Sequence, residues 1–221
     1  QIEELNTKTV TIIGLGGVGS TVAELLVRNN INLRIVDKER VYEEEVPRQM
    51  MYTREDIGKF KAKQAKKRLE EITNDVKIKT FHEELHKDNL FLIESDLIID
   101  ASNHMKTTMM INEYALENKI PLISTNYAGT KGNLLVIDKQ NNKKGPCIKC
   151  LENDFDLGTL KEKGVFSPTT TLLAGLVVNE TLKNLLGIGN ETHLLKIDAY
   201  KTEVRHSQVE KKRGCDHCKG K

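Results

Sequence analysis

The sequence predicts an α/β fold: a mostly parallel sheet with helices on both faces, late antiparallel strands and a zinc knot of four cysteines. Three observations carry this. Short β-branched or apolar runs alternate with helical stretches, the pattern of parallel strands joined by crossover helices, and the late strands follow one another without helices. A glycine-rich turn stands between the first strand and the first helix. The four cysteines of the chain fall in two Cys-x-x-Cys pairs.

The elements follow in order. Thr9–Ile13 is a short β-branched run stopped by Gly14, so it reads as a buried strand. Residues 18–29 carry apolar side chains at helical spacing, with Val18, Val22, Leu25 and Leu26 on one stripe. Residues 33–36 form a second strand that ends at Asp37, and 60–72 a helix rich in Lys and Glu. Residues 76–81 alternate like an outer strand, and 97–99 form a buried strand closed by Asp100. A helix over 107–118, a strand over 122–124 after Pro121, and a strand over 132–137 come next. A long helix over 169–186 ends at Gly187. Residues 194–198 and 202–207 read as strands around a turn; with no helix between them, they pair antiparallel.

A length of 221 residues with 38% hydrophobic content suits one domain over 1–221 with its own core. Within it, 9–138 is the expected nucleotide-binding core. Residues 139–168 hold a cysteine loop and a crossover loop, and 169–221 the long helix, terminal strands and metal-binding tail. A formal charge of +2 lacks the strongly basic face of a nucleic-acid binder. No apolar run is long enough to cross a membrane, and no signal-peptide pattern is present, so a cytoplasmic location is expected. The chain begins at Gln1 rather than Met.

Gly14-Leu15-Gly16-Gly17-Val18-Gly19 follows a strand and opens a helix, the Rossmann-like arrangement for binding a nucleotide. The first glycine permits the tight turn, the next lets a ligand approach the backbone, and the last lets helix pack closely on sheet. The helix N-terminus favours negative charge. Asp37 closes the next strand eighteen residues after Gly19, where a carboxylate can accept from ribose hydroxyls. The glycines alone do not separate NAD from ATP. The loop from Asp37 to Ala62 favours ATP: it carries cations that a triphosphate needs and a dinucleotide dehydrogenase does not.

That loop reads Asp37, Glu39, Val41, Glu45, Arg48-Gln49, then Ile57-Gly58 and Lys61. With the glycine turn, Ile99-Asp100-Ala101-Ser102-Asn103, Gly164-Val165 before a long helix and the two cysteine pairs, the chain resembles the ThiF/MoeB/HesA branch of the ubiquitin-activating superfamily. The resemblance runs over residues 9–218. It implies that Gly14, Gly16, Gly17 and Gly19 cradle the nucleotide with Asp37 and Glu39, and that Asp37 binds the ribose. It implies that Arg48 and Lys61 contact the phosphates, that Gln49 sits beside Arg48, and that position 103 holds Mg2+. The bland alternatives are a surface salt bridge from Arg48 to the glutamates at 43–45 and a solvated helix face for the lysines. The latter is the reading adopted for Lys59, Lys63, Lys66 and Lys67.

Two positions depart from the family pattern. Glu45 stands where the family has Asn, and Asn103 stands where it has a magnesium-binding Asp. An amide oxygen ligates magnesium without the favourable charge, and Glu45 is the candidate to compensate.

Cys147/Cys150 and Cys215/Cys218, with sixty-four residues between the pairs, suit a structural Zn2+ site of four thiolates. Redox pairs or free thiols are the alternatives. His217 lies inside the last pair and is expected to line the knot. Family members that form a covalent sulfur intermediate carry a further cysteine near the position of Leu160, and this chain has none.

The resemblance implies an ATP-dependent adenylyltransferase acting on the C-terminal glycine of a ubiquitin-like or sulfur-carrier protein, working as a homodimer. Relatives sometimes contribute an N-terminal arginine across the dimer, and residues 1–8 contain no Arg. Residues 151–167 would be the crossover loop that closes over the partner's tail. The competing readings are a non-catalytic member of the superfamily, an NAD-dependent oxidoreductase, and an enzyme adenylating a peptide or a modified tRNA base.

Overall fold

Eight strands form one sheet in the order β3-β2-β1-β4-β5-β6-β7-β8. The structure, a computed structural model, describes residues 2–138, 145–155, 164–188, 192–207 and 209–218. The strands are β1 (Thr9–Ile13), β2 (Asn32–Val36), β3 (Ile78–Phe81), β4 (Leu97–Asp100), β5 (Leu122–Ala128), β6 (Lys131–Ile137), β7 (His193–Asp198) and β8 (Glu203–Ser207). The helices are α1 (Ile2–Leu5), α2 (Gly17–Arg28), α3 (Lys61–Glu70), α4 (Met105–Asn118), α5 (Glu152–Phe155) and α6 (Ser167–Leu185).

From β3 to β5 all neighbours are parallel, and from β5 to β8 all are antiparallel. The strand order reverses beside β1: the chain leaves it for β2 on one side and returns to β4 on the other. A crevice must open there at the C-terminal ends of the strands, because the two connections depart in opposite directions. Helices α2, α3 and α6 cover one face, where Val18, Val22, Leu26, Ala65, Leu69, Leu173 and Val177 join Val10, Ile12 and Ile35 in the core. Helix α4 covers the other, with Ile111 and Ala115 against Ile13, Ile98 and Leu135. Central strands β1 and β4 have apolar neighbours on both sides, which explains their unbroken β-branched runs.

The expected elements are present with small shifts at their ends. The largest shift is in β5, expected over 122–124, which runs on through Thr125 and Asn126 to Ala128. The Ser124, Thr125 and Asn126 side chains are buried but not orphaned. Ser124 Oγ donates to Asp100 Oδ2 at 2.8 Å, and Thr125 Oγ1 to the Asp100 carbonyl at 3.2 Å. Full antiparallel pairing with β6 then carries β5 four residues further. Short α1 and a 3-10 segment over Lys87–Ile93 were not anticipated; each is too short to show a period.

A buried ionic contact ties α6 to β7. Glu180 accepts from Lys183 Nζ at 2.9 Å with each oxygen and lies 3.4 Å from His193 Nε2. Burial alone would raise its carboxyl pKa, but His193 and Lys183 outweigh it and bring it down to about 2. A carboxylate whose pKa falls on folding stabilises the protein above its unfolded value, and that contribution disappears as pH drops through the folded one. Wild type should therefore lose about 2–3 kcal/mol from this group between roughly pH 5 and pH 2. In urea titrations Glu180→Gln should be the less stable form at pH 6, and the gap should close at pH 2. Parallel pH curves for the two proteins would refute this role.

Candidate active site

The crevice at the ends of β1, β2 and β4 is a cavity of about 470 Å³. The glycine turn forms one wall. Gly14 has φ +89°, and a Cβ on it would lie 2.7 Å from the Ala101 carbonyl oxygen. A Cβ on Gly19 would lie 1.9 Å from the carbonyl oxygen of Gly14, and one on Gly17 would press on the Thr170 side chain at 3.1 Å. These three glycines let α2 approach the strand ends and α6. Gly16 is different: it caps α2, lines the cavity, and its nearest neighbour would be the Tyr127 hydroxyl at 3.6 Å.

Asp37 closes β2 and braces this turn. Its Oδ2 accepts the Leu15 N–H at 2.6 Å and its Oδ1 the Glu39 N–H at 2.7 Å. Burial raises its pKa, against the lowering effect of those two backbone bonds. Tyr52 donates to the Leu15 carbonyl at 3.3 Å from below.

The loop between β2 and α3 folds over the opposite wall. It is closed at its base by Val41 N–H to Lys59 O, Gly58 N–H to Val41 O and Lys61 N–H to Glu39 O, at 2.9, 2.9 and 3.0 Å. Asp56 pins it to α3 through Arg68 at 2.9 Å. This closure sets Glu45, Arg48 and Gln49 on the cavity wall. Lys61, at the start of α3, is only 1% exposed, and its Nζ donates to Glu39 Oε2 and Glu45 Oε1 at 2.7 Å each. Burial would lower the ammonium pKa; the two carboxylates more than offset this and raise it. Glu45 also accepts from Gln49 Nε2 at 3.0 Å and from the Tyr42 N–H at 3.1 Å. Gln49 Oε1 is buried with no partner among the described residues.

Arg48 donates from Nε to the Glu44 carbonyl at 3.2 Å. The alternative of a salt bridge to the neighbouring glutamates does not appear among the described ion pairs. Lys59, Lys63 and Lys67 are exposed and Lys66 is half-buried, away from the cavity lining. Asn103, at φ +51°, follows β4, and both ends of its amide meet the backbone of Tyr127. Oδ1 accepts that N–H at 2.8 Å, and Nδ2 donates to that carbonyl at 3.1 Å. This clamp joins the end of β4 to the end of β5 and leaves a neutral group where the sequence resemblance implied a carboxylate.

All the nucleotide-site residues expected from the sequence line this cavity except Gly17 and Gly19, and those two shape its wall. Residues missed in the sequence also line it: Tyr127, Lys38, Glu83, Glu84, His104 and Thr107. Lys38 sits beside Asp37 in the same loop; no local signal marks the others, which the segments around β3, β5 and α4 bring in from distant parts of the chain. The wall holds five carboxylates against the three cations Lys38, Arg48 and Lys61, and Lys38 is paired with Glu84 at 2.7 Å.

The four cysteines form a second cluster, with every Sγ within 4.8 Å of the others. Neighbouring sulfurs lie 3.9, 3.8 and 3.5 Å apart for Cys147–Cys150, Cys147–Cys215 and Cys150–Cys218. The first pair is seated by the Ile148 N–H on Asn112 Oδ1 of α4, at 3.1 Å. The residues after β8 return here, and Lys211 Nζ donates to the Cys218 carbonyl at 2.6 Å. This donor set can hold one metal ion.

The ThiF family profile matches residues 1–218. The chain belongs to the ThiF family. It is 30% identical to the sulfur carrier protein adenylyltransferase of Thermus thermophilus, over 98% of this chain and 84% of that protein. Identity to the sulfur carrier protein ThiS adenylyltransferase of Bacillus subtilis is 29%, over 98% of this chain and 66% of the relative. The Culex quinquefasciatus adenylyltransferase and sulfurtransferase MOCS3 is 27% identical, and this chain spans 51% of its length. Adenylyl transfer is the activity this membership supports, in preference to nicotinamide chemistry. Escherichia coli MccB shares the fold, with a TM-score of 0.85 at 18% identity over 98% of this chain and 66% of that one. No helix among the described residues is long and apolar enough to cross a membrane.

The glycines make separable predictions. Gly19→Ala forces a Cβ into a backbone carbonyl that cannot yield without opening the turn, so it should destabilise the fold by about 2–4 kcal/mol. Gly16→Ala meets only ordinary contacts and should stay within about 1 kcal/mol of wild type. Thermal unfolding of the two variants checks this, and equal melting temperatures would contradict it.

Proposed function

We propose that the chain binds ATP with Mg2+ in this cavity and transfers AMP to the C-terminal glycine carboxylate of a ubiquitin-like or sulfur-carrier protein, releasing pyrophosphate. The observation that supports this most is the meeting of Asp37, Arg48 and Lys61 on one cavity at the N-terminus of α2. A carboxylate, a guanidinium and a buried ammonium beside a glycine turn suit a ribose and a triphosphate together.

In this reading each carboxylate oxygen of Asp37 keeps lone pairs for the ribose hydroxyls after bracing the turn. Among the described residues Arg48 uses only its Nε on the protein, and its remaining donors serve phosphate oxygens. Lys61 stays charged through neutral pH because Glu39 and Glu45 hold its proton on. The attacking carboxylate of the partner is already ionised at neutral pH, so no general base is required. One of its oxygens bonds to the α-phosphorus as the bond to the pyrophosphate oxygen breaks. The residues position the groups and stabilise charge on the leaving pyrophosphate.

The reaction stops at the adenylate. All four thiols are gathered in one cluster, which leaves no cysteine for a thioester. Leu160, where relatives with a covalent step carry a cysteine, lies outside the described residues. The crossover loop is described only at its ends, where the Gly164 carbonyl accepts the Gly129 N–H at 3.1 Å beside the β5–β6 turn. A homodimer and Zn2+ in the cysteine cluster complete the proposal. Tetrahedral zinc with thiolates at about 2.3 Å has sulfur–sulfur edges near those of the cluster.

One observation favours a second reading, a binding-only member of the family: Asn103 offers no charge to a metal and is engaged at both ends. Pyrophosphate exchange with labelled ATP, run against a panel of carrier proteins, separates the two. Exchange with one carrier is expected, reduced about 100-fold or more in Arg48→Ala and Lys61→Ala. ATP binding without exchange for any carrier would favour the second reading.

Metal analysis of freshly purified, reduced protein should find one zinc per chain. Cys147→Ser should lower the melting temperature while leaving ATP affinity within about threefold, because the cluster lies apart from the phosphate-facing residues. Protein free of zinc would remove the assignment.

A further inference from the structure

The cavity wall is short of positive charge. Five carboxylates line it against Lys38, Arg48 and Lys61. Among the described residues Lys38 is paired with Glu84 at 2.7 Å and Lys61 with both Glu39 and Glu45 at 2.7 Å each, while Arg48 enters no ion pair.

The two carboxylates on Lys61 are not equivalent. The Glu39 side chain is 50% exposed, so water and salt screen it, whereas that of Glu45 is 11% exposed. Glu45 is also fixed from three sides: it accepts from Lys61 Nζ, from Gln49 Nε2 at 3.0 Å and from the Tyr42 N–H at 3.1 Å. Its charge therefore stays in place and acts through a medium less polarisable than bulk water. An ammonium has three N–H donors, and Lys61 spends two on these carboxylates. The third remains for a phosphate oxygen, but the charge behind it is already balanced. The asparagine that the sequence resemblance implied at position 45 carries no charge and would leave more of the ammonium's for a ligand.

We infer that Glu45 is a specificity-determining residue: by cancelling the Lys61 charge it weakens the hold on β- and γ-phosphates, so that the cavity binds a nucleoside monophosphate at least as tightly as the bare triphosphate and releases pyrophosphate readily. The inference rests on the adenylation reading, in which the phosphates extend from the ribose at Asp37 towards Arg48 and Lys61. There the added phosphates of ATP, more than the α-phosphate, come up against Glu45. Pyrophosphate, once its bond to the α-phosphorus has broken, meets the same buried negative charge, while the adenylate stays on the glycine turn. Arg48 and Lys61 still offer donors to the phosphates, but only Arg48 offers charge that no carboxylate has claimed.

Calorimetry of AMP, ADP and ATP binding to the full chain tests this, in buffer freed of divalent ions so that the phosphates alone set the ligand's charge. Wild type should bind ATP no more tightly than AMP. Glu45→Gln, close in shape, should bind ATP about tenfold more tightly than wild type does, ADP by an intermediate factor and AMP within about twofold, the graded effect of one unit charge near the added phosphates. Glu45→Asp keeps the charge and should keep the wild-type order. A loop that had merely been loosened would weaken all three ligands together. Equal effects on AMP and ATP, or weaker ATP binding in Glu45→Gln, overturn the inference. So does wild type binding ATP about tenfold more tightly than AMP, a result that needs no variant to fold. Pyrophosphate exchange reports separately on the adenylation reading. Exchange with an ATP affinity insensitive to Glu45→Gln sinks only this inference, the ATP gain without exchange for any carrier sinks only that reading, and no binding of any nucleotide sinks both.

Discussion

The close approach of α2 to the strand ends is the constraint on which the rest depends. A missing side chain at Gly19 lets the helix sit on the Gly14 carbonyl, and a missing one at Gly14 lets the turn sit on Ala101. This places the start of α2 over the gap between β1 and β4. It also puts the Leu15 N–H within reach of Asp37, so the turn and the end of β2 brace one another. Thr170 of α6 rests on Gly17, which brings the long helix to the same point. One backbone contact thus fixes two helices, two strands and the cavity floor.

The charged wall follows from a different constraint. Lys61 is among the most buried side chains in the molecule, and burying an ammonium alone is strongly unfavourable. Glu39 and Glu45 make it tolerable, and the loop closure from Val41 to Lys61 holds all three in register. A buried charge held this way is stiff, which suits the proposed role of meeting phosphate without reorganisation. The same arrangement makes Glu45 more than a replaced asparagine. It accepts from Lys61, Gln49 and the Tyr42 backbone at once.

The far end of the chain is organised by the cysteine cluster. The residues after edge strand β8 fold back to the loop after β6, and Asn112 links that loop to α4. Leu116 of α4 packs against the sulfurs. The cluster therefore stabilises the face of the sheet opposite α2 and α6, away from the phosphate-facing residues.

Much of this was legible in the sequence. Periodicity marked every long helix and the buried parallel strands, because a stripe or a run of apolar residues reports local geometry directly. Cysteine spacing named the four thiols that meet, since two residues between ligands match one ion. The glycine turn, Asp37 and the Arg48-Gln49 pair identified the site through motif order. The strand read over 122–124 continues to Ala128, with Thr125 and Asn126 buried in it. The hydrogen bonds of Ser124 and Thr125 go to Asp100, far away in sequence, and no local pattern records them. The resemblance set Lys61 apart from Lys59, Lys63, Lys66 and Lys67, but only the folded loop revealed that it is buried between two carboxylates. Asn103 likewise stood as a weakened metal ligand until its clamp on Tyr127 was seen. The sequence by itself determined the elements and the residue types of the site, because those depend on neighbours along the chain. The tertiary structure decided which charges meet, because burial and pairing arise only where distant segments close on one another.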